Sequence, residues 1–150
     1  MINVEVCIDN IESLFLAQTA GAGRIELCSS LALGGLTPCV GLITQVVKHA
    51  TIPVYAMIRP RDGDFLYSSL EIEMMLADIH SARSLGVQGV VLGLLNKQSE
   101  IDSDALKSLM QASKGLGVTF HRAIDCCDDP EAALETIMSA GCDRVLTSGL

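Results

Sequence analysis

Hydrophobic and polar positions follow two rhythms along this chain, and the rhythms take turns. Short β-rich runs, the first three strictly alternating, lie at 3–8, 24–28, 54–59, 89–92, 118–121 and 144–148. A period of two sends successive side chains to opposite faces of a strand. Between the runs, apolar residues recur at helical spacing: Ile11, Leu14 and Phe15; Ile72, Met75, Leu76 and Ile79; Leu106, Leu109 and Met110; Ala133, Leu134 and Ile137. That spacing predicts helices with one apolar face. Thr37-Pro38 and Asp129-Pro130 each predict an N-cap followed by an N1 proline, and Ser68 with Glu71 has capping-box spacing. Gly21, Gly86, Gly115 and Gly141 stand where helices should stop, just ahead of the next strand. Strand and helix in strict alternation imply parallel strands joined by right-handed crossovers.

An open doubly wound sheet and a closed barrel both fit that order. Central strands of a doubly wound sheet are covered on both faces and read as continuous apolar runs. Here the first strand sets Val4, Val6 and Ile8 against Asn3, Glu5 and Cys7. The second sets Ile25 and Leu27 against Arg24, Glu26 and Cys28, and the third Val54, Ala56 and Ile58 against Tyr55, Met57 and Arg59. One apolar face under helices and one mixed face lining an interior favour the barrel. The fold class is therefore α/β, a (β/α)₈ TIM-type barrel. A complete barrel takes eight such units in ~250 residues. The 150 residues are expected to form a single domain, 1–150, that supplies about the first six strands and lacks the C-terminal ones. Apolar edges left on strands one and six predict an isolated chain that is unstable or oligomeric.

Composition narrows the setting. Apolar residues make up 49% of the chain, and the mean hydropathy is +0.42. No apolar run approaches the ~18 residues of a membrane span. Met1-Ile2-Asn3-Val4-Glu5 has no signal-peptide character, so a cytoplasmic location is expected. A net charge of −8 argues against nucleic acid or an anionic membrane as the main partner. Six cysteines stand at 7, 28, 39, 126, 127 and 142, with no C-x-x-C pair. In a reducing compartment they are expected to be free thiols. Adjacent Cys126-Cys127 reads first as a pair of loop residues, with metal or redox chemistry as the alternative. Cys39, in the first turn of a helix, and Cys142, just before a strand, are expected to be inert. His49 and His80 fall in helices as surface or packing residues.

Barrels of this kind keep their chemistry at the carboxyl ends of the strands. The pleat brings Glu5, Cys7, Glu26, Cys28, Arg59 and His121 to that end. Glu5-Val6-Cys7 is echoed by Glu26-Leu27-Cys28 on the next strand, ~4.8 Å away, so the two thiols can meet if the register matches. Burying Glu5 and Glu26 unpaired costs several kcal/mol each, and Arg24, Arg59 and His121 can supply the compensating charge. That set reads as a functional site, with a structural ion cluster as the alternative. Arg59 and Arg61, in the charged loop 59–65, can hold an anion, or can be spent on salt bridges within the loop. His121-Arg122 closes the fifth strand, with Asp125 just beyond.

These segments resemble the CutC copper-homeostasis family. The matching stretches are Val4-Glu5-Val6-Cys7, Gly23-Arg24-Ile25-Glu26-Leu27-Cys28, Gly34-Gly35-Leu36-Thr37-Pro38, Met57-Ile58-Arg59-Pro60-Arg61, Gly63-Asp64-Phe65-Leu66-Tyr67-Ser68, Val118-Thr119-Phe120-His121-Arg122-Ala123 and Arg144-Val145-Leu146-Thr147-Ser148-Gly149. The resemblance implies a cytoplasmic (β/α)₈ barrel, a homodimer when full length, that takes part in copper handling. It implies Cu(I) as ligand and metal ligands at Cys7 and Cys28. Asp62, Ile124 and Cys39 depart from the family pattern. Two functions remain open. One is Cu(I) binding through the paired thiols, soft donors for a soft ion. The other is a barrel enzyme acting on a small anionic, possibly phosphorylated, substrate. In it Arg59 and Arg61 serve as substrate anchors and Glu26 or His121 as catalytic acid or base.

Overall fold

The side chains that alternate along the first strands do so on a sheet with helices on one face only. The computed structural model describes residues 2–149. Six parallel strands lie side by side in chain order: β1 (Glu5–Ile8), β2 (Arg24–Leu27), β3 (Val54–Met57), β4 (Gly89–Leu92), β5 (Gly117–Phe120) and β6 (Arg144–Val145). The connecting helices are α1 (Ile11–Thr19), α2 (Val40–His49), α3 (Ser69–Ser84), α4 (Ser103–Ala112) and α5 (Pro130–Ala140). Ile25, Leu27, Val54 and Ala56 pack with Leu14, Ile43 and Val46 of α1 and α2. Val90, Leu92, Val118 and Phe120 pack with Met75, Ile79, Leu106, Leu109 and Ile137 of α3, α4 and α5. Each fully buried Val, Leu, Ile, Phe or Met side chain among them contributes ~1.5–3 kcal/mol.

The opposite face holds Cys28, Tyr55, Met57 and Val91, with no helical residue among them. This face is concave. Arg144 of β6 donates to the Tyr55 hydroxyl of β3 at 2.7 Å, although three strand spacings in a flat sheet would separate them by ~14 Å. Strands in unbroken chain order with helices on one face only exclude the open doubly wound alternative, and the six strands form part of a β/α barrel.

Local chemistry sets the ends of the elements. Ser68 accepts from the Glu71 amide while the Glu71 carboxylate accepts from the Ser68 amide, the expected capping box. Asp129 caps α5 with Pro130 in its first turn. Thr37-Pro38 behaves differently. The helix starts at Val40 behind Cys39, which makes no side-chain cap. Thr37 is used elsewhere: its amide donates to the Arg59 carbonyl at 3.0 Å, and its hydroxyl accepts from the Arg59 amide at 2.9 Å. Those backbone groups stand just past the end of β3 and need partners. Strand β6 is also shorter than its pattern, because Thr147 and Ser148 turn away to bond the Asp125 carboxylate.

Where the strands begin, Tyr55 fills the interior. A Cβ at Gly89 would lie 2.3 Å from its ring and one at Gly117 2.0 Å from its hydroxyl, so both neighbours must be glycine. Arg24 and Arg144 place their guanidinium carbons 4.7 and 4.9 Å from that ring, within cation–π range.

Candidate functional site

At the other end of the strands the interior opens into a cavity of about 400 Å³. Cys7, Glu26, Arg59, Phe65, His121 and Cys126 contribute to its wall. A larger hollow of about 670 Å³ lies outside the barrel, between α4 and α5.

The two thiols share one acceptor rather than facing each other as the echoed motif suggests. The β1–β2 register sets Cys7 beside Glu26 and Glu5 beside Arg24, so Cys28 stands one inward position farther along. The Glu26 carboxylate joins the two cysteines. The Sγ of Cys7 donates to Oε1 at 3.3 Å, and the Sγ of Cys28 donates to the same oxygen at 3.7 Å. Glu26 is buried, and its Oε2 has no partner. Burial raises the Glu26 carboxyl above its usual value, against the opposing hydrogen bond from Cys7. Partial burial of the sulfur, with the Glu26 charge alongside, pushes the thiol of the otherwise exposed Cys7 up to about 12, and fuller burial raises Cys28 as well. Both sulfurs are protonated at neutral pH.

Glu5 and Arg24 do not join this group. They form an ion pair where the strands begin, because register places them a full inward position short of Cys7 and Glu26. Arg61 is likewise drawn outward. Its guanidinium is bound by Glu71, Asp64 and the Leu66 carbonyl and lines no part of the cavity. Its role as substrate anchor finds no support in that position.

Arg59 is buried, at 7% exposure. Its Nη1 donates to the carbonyls of Leu33 and Gly35 at 2.8 and 3.2 Å, and its Nη2 to that of Gly63 at 3.1 Å. The Gly34-Gly35 turn makes this possible, since both residues have positive φ, 84° and 86°. A Cβ at Gly35 would also come within 2.9 Å of the Cys28 sulfur. One turn thus seats both the guanidinium and the inner thiol.

His121 is buried beside Gly93, which leaves room for its ring. Its Nδ1 accepts from the Ala123 amide at 3.2 Å, and Nε2 has no partner. Burial, with the Arg59 charge adding to it, holds the imidazole down to about 3, so it is neutral and supplies no charge to Glu26. Arg122 pairs with Asp125, which also accepts from Thr147 and Ser148. Burial would raise the Asp125 carboxyl, but these hydrogen bonds outweigh it and hold it below the carboxylate range.

Phe65, Cys126 and the lip residues Leu31 and Leu33 were not marked by the sequence pattern as parts of one site. Their only sequence signal is position, in the loops that follow β2, β3 and β5. Among the described residues, no group of three or more His, Cys, Asp or Glu side chains is arranged to hold a metal. No helix of the structure is long and apolar enough to cross a membrane.

The profile of the CutC family matches residues 2–150. The chain belongs to the CutC family. It is 66% identical over 149 residues to the CutC family protein of Photobacterium profundum, covering 99% of this chain and 61% of that protein. It is 58% identical over 146 residues to that of Pasteurella multocida, covering 97% and 60%. The chain therefore spans about 60% of the length of these curated relatives. A solved CutC structure from Streptococcus agalactiae, provisionally assigned to copper homeostasis, superposes with a TM-score of 0.93 at 37% identity, over 99% of this chain and 73% of that one. The phosphoenolpyruvate phosphomutase of Streptomyces platensis subsp. rosaceus superposes with a TM-score of 0.67 at 17% identity, over 98% and 60%. A 2,3-dimethylmalate lyase does so at 0.70 and 16%, over 99% and 58%. At such identities the likeness is one of fold alone.

Proposed function

We propose that the chain carries the Cu(I) site of a copper-homeostasis protein, with Cys7 and Cys28 as its two ligands. One observation carries the reading: both thiols donate to the same oxygen of Glu26, so their sulfurs converge from adjacent strands. Two thiolates satisfy a soft monovalent ion. The ion must displace two protons, because both thiols are protonated at neutral pH. Glu26, raised toward neutrality and hydrogen-bonded to both sulfurs, is the natural first acceptor of one of them. A reducing cytoplasm keeps the thiols available, and the longer protein is read as a homodimer.

A Cu(I) competition titration against a chromogenic chelator tests this. Cys7→Ser and Cys28→Ser should each remove nearly all tight binding, and the double variant should be no worse than either, because two ligands of one ion act as a unit. Cys126→Ser and Cys127→Ser should bind as before. Affinity that survives loss of both Cys7 and Cys28 sinks the reading.

A further inference from the structure

The cavity holds a second feature that copper does not use. Two arginines line it, and Arg122 is neutralised by Asp125. Arg59 has no carboxylate partner among the described residues and is 7% exposed. A guanidinium has five N–H donors. Three are spent on the carbonyls of Leu33, Gly35 and Gly63, while Nε is buried without a partner. His121 adds another. Its Nδ1 accepts from Ala123, so the ring proton sits on Nε2, also buried and unpartnered. The Phe65 ring stands 5.1 Å from the guanidinium carbon and 5.0 Å from the imidazole centre, so the two groups flank one aromatic wall. A buried donor left without an acceptor carries its full desolvation penalty. Native structures keep few such donors, and each calls for a reason such as strain, a catalytic role or a bound water or ion.

We propose that the Arg59–His121 corner binds the carboxylate of a small organic monoanion. Its apolar body would rest against Leu31, Met57 and Leu146, which line the same cavity. The charge balance selects the ligand. Among the described residues Arg59 is the cavity's one arginine without a carboxylate partner, and His121 gives a hydrogen bond without a second charge. A monocarboxylate sets a single negative charge against that guanidinium, whereas a phosphate dianion adds two in a cavity that Glu26 already lines. The planar carboxylate also matches the guanidinium fork. Both donors are buried, so a neighbour must shift to admit the carboxylate, and Phe65 lies beside both groups in a stretch between β3 and α3 with no helix or strand.

Isothermal titration of the protein in metal-free buffer with butyrate, pyruvate and inorganic phosphate tests this. Saturable binding of a monocarboxylate is expected, about tenfold or more tighter than phosphate, a difference of ~1.4 kcal/mol. Arg59→Gln should weaken it by at least about tenfold. Arg59 also ties three backbone carbonyls, so this variant must retain the wild-type circular dichroism spectrum to count. Leu31→Lys, at the exposed lip, needs no such check on the core. A second charge there should shift the preference toward phosphate. Failure of both monocarboxylates to bind, tighter binding of phosphate by the unmodified protein, an unchanged affinity in folded Arg59→Gln, or an unchanged preference in Leu31→Lys each overturns the proposal. None of these readouts involves copper, so they stand apart from the thiol reading.

Discussion

The two ends of the barrel interior hold similar residues and treat them differently. Where the strands begin, Glu5 pairs with Arg24, Arg144 donates to the Tyr55 hydroxyl, and both guanidinium groups stand within cation–π range of the Tyr55 ring. Where the strands end, Glu26 Oε2, Arg59 Nε and His121 Nε2 have no partners, and a cavity opens beside them. Charge inside a barrel is therefore a weak sign of a site. The informative quantity is the pairing left undone, because evolution can satisfy a buried charge for packing alone, as the first end demonstrates.

That contrast can be broken by mutation. Tyr55→Ala should be the most damaging change, because it empties the paired end. A loss of ~3–5 kcal/mol in denaturant unfolding is expected. Gly35→Ala should cost ~1–3 kcal/mol, since the position has positive φ and the new methyl would meet the Cys28 sulfur. It should also change the rate at which Cys28 is alkylated, which would tie the turn to the thiol. A double-mutant cycle on Glu5 and Arg24 should return a coupling of ~1 kcal/mol for this half-buried pair. An equal coupling between Glu26 and Arg59 would erase the distinction between the ends.

The acid limb offers a finer test. The folded His121 titrates near 3 against a usual value of 6.5. Its folded value is depressed, so the neutral form is the one the fold holds. Its contribution is complete above pH ~6.5 and is lost as pH falls toward 3, where the unfolded chain binds the extra proton. Stability measured from pH 7 down to 4 should fall with a slope that His121→Gln flattens by about one proton. An unchanged slope means that the imidazole is not held neutral. The smallest expected effect on stability is that of Glu26→Gln, within ~1 kcal/mol of neutral, because it removes a buried charge with an unsatisfied oxygen. Its thiol chemistry should nevertheless change. Without the neighbouring carboxylate the Cys7 thiol should titrate below 12, seen as faster alkylation at a fixed alkaline pH.

Much of this was legible in the chain. The alternation at Asn3–Ile8, Arg24–Cys28 and Val54–Arg59 sorted inward from outward residues correctly, since a pleat leaves only two faces to choose from. Hydrophobic period, capping residues and helix-ending glycines are local signals, and they read true except at Thr37-Pro38. There a long-range demand, the open backbone of Arg59, took the threonine. Register was not legible. The repeated E-x-C motif suggests thiol opposite thiol, but parallel strands slide by amounts that only the closed sheet fixes, and Glu26 came between them. The same shift moved Glu5 and Arg24 to the other end. Arg59 and Arg61 look alike in sequence, and only the folded loop shows that Glu71 and Asp64 claim one of them.

The shared carboxylate oxygen under Cys7 and Cys28 carries a consequence for life with oxidants. Peroxides and disulfides react with thiolate, and a sulfur held protonated at pH 7 presents almost none. Buried Cys28, and Cys7 although it is exposed like Cys39 and Cys126, should outlast those two when the cell is challenged. A cation with real appetite for sulfur can still evict the protons, while a weakly thiophilic one cannot. The acid–base setting of the pair thus works as a threshold, admitting reagents by how strongly they compete with hydrogen.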